Sequence, residues 1–256
     1  ISDPRAEENT DRLPDLACVG AAPGEPSGQL VTMHGVVDRF GSGPTTEGMR
    51  IRVYAAAGFT PSECYGLAED ALTAEEAAVR QACYDALLDD PSILLGETVS
   101  TAAPEQTEVV GCEIDADCPM GFACAGPKGF EECEAAHGFY ELPGVPTNVA
   151  LVIAVTPTNN ESDWHNTFHF NVVLSDDFAV DGAYRFDPVT VAHGQWITVQ
   201  TPCGVQLELG NGAIGGRVRD CSDRRRSWYI HEATVGFASP ASGICYFNDK
   251  ETDSLP

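Results

Sequence analysis

His165 and His169 stand four residues apart in the segment DWHNTFHF, beside Trp164 and Phe168. On a strand, where side chains alternate with a period of two, that spacing puts both imidazoles on one face. Two imidazoles on one face can hold a transition metal such as zinc or iron, although two histidines beside aromatics also occur as plain structural side chains. Glu113, Asp115 and Asp117 alternate ahead of Cys118, and carboxylate oxygens suit a hard cation, Ca2+ above all. The run lacks the spacing and closing Glu of an EF-hand, so it reads first as a solvated acidic knuckle. The candidate metal ligands are therefore Asp115, Asp117, His165 and His169. Nucleophilic chemistry has no motif behind it: the chain contains neither G-x-S-x-G nor H-E-x-x-H. Asp176, Asp177 and Asp181 resemble glycosidase carboxylates only in being acidic. The expectation is a protein that is not an enzyme and has no cofactor unless it binds Ca2+.

Ten cysteines, at positions Cys18, Cys64, Cys83, Cys112, Cys118, Cys124, Cys133, Cys203, Cys221 and Cys245, include no C-x-x-C pair. Zinc ribbons and redox motifs need that close spacing, so the even number reads as a disulfide framework of an oxidising compartment: periplasm, cell surface or medium. The chain begins with Ile1 and is polar at once, which reads as a mature form after removal of an export signal.

The net charge is −25, from 39 acidic and 14 basic residues, and only Lys128 and Lys250 are lysines. Such a chain is repelled by nucleic acid phosphates and by anionic lipid. No apolar run approaches the ~18 residues of a membrane span. Arg224, Arg225 and Arg226, beside Trp228 and Tyr229, form the one basic patch. It reads either as a solvated hairpin loop or as an interface for an acidic surface, with Arg and aromatic anchors.

These residues need a scaffold, and the patterning predicts one that is mostly β. Residues 1–28 read as an extended arm. Residues 29–40 and 49–55 alternate as strands and are expected to pair as a hairpin across GSGPTTEG. Thr73 followed by Glu76 is a capping box, so a helix should run over 74–88 and stop before Pro91. A Cys64–Cys83 bridge would staple it to its incoming loop. Residues 92–100 return to strand. Residues 112–133 form a Cys-rich knuckle with no periodic apolar face, to be held by bridges. Residues 139–142 and 149–155 are expected to be antiparallel strands joined by a tight corner at Pro143, Gly144 and Pro146. In residues 167–174, Phe168, Phe170, Val172 and Leu174 alternate along one face. Further strands are expected near 189–191, 195–200, 212–219, 232–237 and 244–247.

The segment LVTMHGVVDRFGSGPTTEGMRIRVYA resembles the first hairpin of a carboxypeptidase regulatory-like domain, a transthyretin-like β-sandwich of seven strands. Gly138, Tyr140, Leu142, Gly144, Val145 and Pro146 fit the family's second motif, an aromatic strand that ends in G-V-P. The knuckle around Asp117, Cys118, Pro119, Gly121 and Cys124 is similar to disulfide knuckles of secreted proteins in myxobacteria-like bacteria. Gly216, Val218 and Asp220, then Ala233, Val235 and Phe237, repeat the first-hairpin signature.

The resemblance implies an all-β chain of two transthyretin-like units. The first spans 29–178 with an insertion over 60–136, connecting strands occupy 179–211, and 212–256 is a partial second sandwich. It implies a secreted, non-catalytic structural or adhesive cell-surface protein. Its partners would be copies of itself or other surface proteins, and it would complete its partial sandwich in trans. The alternative is a carbohydrate- or calcium-binding accessory module of an exported enzyme, with Trp164 and Trp228 exposed to a polysaccharide.

Overall fold

A computed structural model of the chain describes residues 28–40, 46–64, 73–102, 110–112, 118, 122–125, 132–135, 138–159, 164–196, 213–215, 246–247 and 254–255. Two compact units emerge, one of residues 23–69 and 75–196, the other of residues 1–22, 70–74 and 197–256. In chain order the strands of the larger unit are β1 (Leu30–Val36), β2 (Asp38–Arg39), β3 (Met49–Ala55), β4 (Leu94–Val99), β5 (Phe122–Ala125), β6 (Glu132–Ala135), β7 (Phe139–Pro146), β8 (Ala150–Pro157), β9 (Thr167–Val173), β10 (Ala183–Arg185) and β11 (Val189–Thr190). The helix α1 (Ala74–Leu88) has the expected bounds. In the smaller unit β12 (Tyr246–Phe247) pairs with β13 (Ser254–Leu255), and Ala213–Gly215 is exposed non-strand chain.

The larger unit is an all-β sandwich. One sheet has the order β10-β1-β7 and the other β4-β3-β8-β9, together three and four strands. The inward residues are those the alternation marks: Val31 and Met33 on β1, Met49, Ile51 and Val53 on β3, Leu151, Ile153 and Val155 on β8. They meet Tyr140, Leu142 and Val145 of β7 across the layer. Gly96 on β4 admits Leu142, whose Cδ1 would lie 3.1 Å from a Cβ at that position.

β8 is apolar from Ala150 to Val155 because it is buried on both faces. Its other face, Val152 and Ala154, joins Tyr54, Phe59 and Leu88 in a second cluster, with Phe168 packed against it. Ala56, Phe59, Leu87, Leu88 and Ile93 therefore cover the outer face of the second sheet. α1 docks by its C-terminal end, where Leu88 is buried, and the Cys64–Cys83 disulfide ties it back as expected. Val79 is 68% exposed, and Ala82 and Ala86 are exposed as well.

Strand pairing corrects three expectations. β1 and β3 do not form a hairpin: β1 pairs with β7 and β10, while β3 pairs with β4 and β8. The long connection carries the chain from one sheet to the other instead of turning it back. β7 and β8 likewise lie in different sheets. β7 runs on through Pro143 and Gly144 to Pro146, and the turn falls at Asn148, which has φ 57°. Proline is tolerated because β7 is an edge strand, and Gly144, at φ 80°, occupies a bulge. In β9 a bulge at Phe170–Asn171, with Asn171 at φ 56°, shifts the alternation. Phe168 therefore faces the outer cluster while Val172 and Leu174 belong to the inner one.

The assigned segments also redistribute. β4 falls within the expected 60–136 insertion, yet it completes the second sheet beside β3. The insertion is thus two excursions, one on each side of β4. β10 pairs in parallel with β1 and β11 with β2, so the sandwich reaches beyond residue 178. Gln195 and Trp196, expected in a strand, lie in a helical turn from His193 to Trp196.

Candidate functional site

The chemistry-bearing side chains of the larger unit converge on β11 and the residues after it. On one side Asp38 N donates to Pro188 O and Phe40 N to Thr190 O, each at 2.8 Å. On the other His165 N donates to Val191 O at 2.9 Å, and Trp164 bridges Ala192. This segment links the strand that continues β1 to the run that enters β9.

Both histidines marked by the sequence engage it, through different partners. His169 Nε2 lies 3.0 Å from the Val189 carbonyl, and its ring meets Phe186 edge-on at 5.7 Å. The His165 ring meets His193 edge-on, with centroids 4.0 Å apart, and Trp196 at 5.0 Å. Trp164 is half-buried against the main core, with the Arg39 guanidinium 5.6 Å above its ring. Trp164 is therefore a packed side chain and not the exposed aromatic that a sugar platform needs. Arg39 Nε and His165 Nε2 are buried with no hydrogen-bond partner among the described residues.

The electrostatics favour the neutral form of His34, His165 and His169. Burial lowers the His165 pKa below its ordinary value, and His193 lowers it further. Burial also lowers His169, against the opposing pull of its bond to Val189. His34 on β1 is lowered by burial and by Arg185. Neutral imidazoles in these positions act as hydrogen-bonding and packing posts. His193, Trp196 and Arg39 carry no local motif; only the pairing of β11 brings them to His165 and Trp164.

The knuckle supplies the other cluster. The sulfurs of Cys112, Cys118 and Cys133 lie within 4.8 Å of one another, but they belong to the disulfides Cys112–Cys124 and Cys118–Cys133. A metal takes the thiolate, so the group is a pair of staples, tying Cys112 to β5 and Cys118 to β6, where Cys124 faces Cys133. Arg185 Nη1 donates to Phe122 O at 3.3 Å and ties the knuckle to β10. Arg185 Nε also pairs with Asp187 at 2.9 Å. Asp115, Asp117, Cys18, Cys203, Cys221, Cys245, Arg224, Arg225, Arg226, Trp228 and Tyr229 lie outside the described residues.

No protein-family model matches the chain, and no curated protein matches it. Among solved structures it is similar to a double mutant of the shaft pilin SpaA from Lactobacillus rhamnosus GG, at 10% identity and a TM-score of 0.24. That match covers 64% of this chain and 51% of the pilin's, so the chain spans about half the pilin's length. A likeness of that size assigns no family, and what stands is the disulfide-stapled all-β sandwich itself.

Proposed function

We propose that this chain is an exported, non-catalytic structural or adhesive module of the cell surface. The observation that carries this reading is the concentration of three disulfides among the described residues of one sandwich, since such bridges form and persist in oxidising compartments and are rare elsewhere. The packing supports a rigid spacer: a close-packed aliphatic core, a second apolar cluster on the outer face, and no helix long and apolar enough to cross a membrane among the described residues. The residues that resemble carboxypeptidase regulatory-like domains support the same reading at the level of fold.

Self-assembly is the finer part of the proposal. Three edge strands of the sandwich, β4, β7 and β9, each carry an extra residue opposite their partner, and β10 is three residues long. Bulged and short edges resist strand addition, so the reading assigns assembly to residues 212–256. There Arg224, Arg225 and Arg226 would meet the acidic body of another copy. Light scattering on the oxidised chain tests this: oligomers that shrink as salt rises support it, and a strict monomer at high concentration removes it. Calorimetry with and without reductant tests the compartment, because an unchanged Tm would remove that part of the reading.

A further inference from the structure

We propose that β11 and the turn after it form an acid-released clasp, in which the His165–His193 ring contact holds the segment Val189–Trp196 on the sandwich only until both rings are charged. The geometry concentrates the attachment on few contacts. β11 has two residues and, among the described residues, pairs in register with Asp38 and Arg39. Its other side is held by the His165 backbone, by His169 Nε2 on the Val189 carbonyl, and by a 3.5 Å contact between the hydroxyls of Thr167 and Thr190. The following turn is held by the His165–His193 and His165–Trp196 ring contacts and by the Gln195 side-chain amide on the Phe40 carbonyl.

Protonation works against the ring contact. A second proton on His169 is disfavoured by burial but leaves its bond to the Val189 carbonyl in place, so the acid response rests on His165 and His193. Protonating His165 and His193 together sets two cations in ring contact. Among the described residues, the charged side chains on the packed elements offer no compensation. Arg39 is a third cation, over Trp164. Asp38 accepts from the Arg39 backbone N–H at 2.8 Å. Asp187 is bound to Arg185 and to Val36 N. His34, the remaining titratable group on β1, is itself disfavoured as a cation. No carboxylate among the described residues acts on His165 or His169.

The test is amide exchange on the full oxidised chain at about pH 7.5 and about pH 5, corrected for intrinsic rates, comparing residues 189–196 with residues 151–155 of β8. The expected result is a loss of protection of about tenfold or more at low pH in 189–196, exceeding any loss in β8. The double variant His165→Phe, His193→Phe keeps the aromatic packing and removes two titrating groups; it should retain much of its protection at low pH. His193→Gln, at an exposed position, is the variant least able to disturb folding and should move the opening to lower pH. Equal protection of 189–196 at both pH values overturns the clasp, as does an acid response identical in the parent chain and both variants.

Discussion

The phenol of Tyr54 donates to the Leu88 carbonyl at 2.8 Å, across the boundary between β3 and the last residue of α1. Arg52 Nη1 donates to the same oxygen at 3.1 Å, and pairs with Asp89 and Glu97. A helix C-terminus leaves unsatisfied carbonyls and a partial negative charge. One of them is thus met by two donors on a strand distant in sequence. Tyr54→Phe keeps the ring in the outer cluster and removes one donor. With Arg52 still in place we expect a loss of about 1 kcal/mol, read as a drop in Tm.

Cys64–Cys83 closes a separation of 19 residues. Since α1 buries only Leu88, the bridge supplies much of its attachment. Replacing both cysteines by Ala should cost about 3 kcal/mol on the chain-entropy estimate. The helical signal in circular dichroism should melt ahead of the sheet signal; coincident melting of the two would count against this division.

Gly35 is fixed by close approach: a Cβ there would run into the Phe186 carbonyl and the Asp187 carboxylate. Asp187 also accepts from Val36 N at 2.8 Å, and the Tyr140 hydroxyl donates to Phe186 O at 2.6 Å. Gly35→Ala should destabilise the sandwich by about 1–3 kcal/mol, as overpacking does. Gly194→Ala, where nothing lies within 4 Å of the added Cβ, should be close to neutral in the same denaturant titration.

His34, His165 and His169 all have lowered pKa values in the folded chain. The unfolded chain therefore takes up these protons at higher pH than the folded one. Their contribution is fully present above the ordinary imidazole value of 6.5. It is lost progressively as pH falls from there through the folded values. Tm should decline across that window, and a flat Tm would contradict the assignment.

The sequence made the elements legible far better than their partners. α1 could be bounded from Thr73, Glu76 and Pro91 because capping is local chemistry. β1, β3 and β8 could be read from their apolar periods, and Cys64–Cys83 from its place around the helix. The pairing of β1 with β7 in one sheet and β3 with β8 in the other was not legible, because alternation marks which side of a strand is buried and not which strand lies beside it. The same limit applied at the site. His165 and His169 stood out by spacing, whereas His193 reaches His165 only through a two-residue strand with no pattern of its own.

β8 contributes alternate residues to both apolar clusters, Ile153 to one and Val152 and Ala154 to the other. The clusters therefore share a backbone, and disorder in that backbone is communicated to both. Melting of the sandwich and loss of the platform beneath α1 become a single cooperative event. The helix can fray alone, but it has no docked state that outlives β8. Slow-exchanging amides should mark this strand as the last to open, and a truncation that severs it should leave neither layer behind.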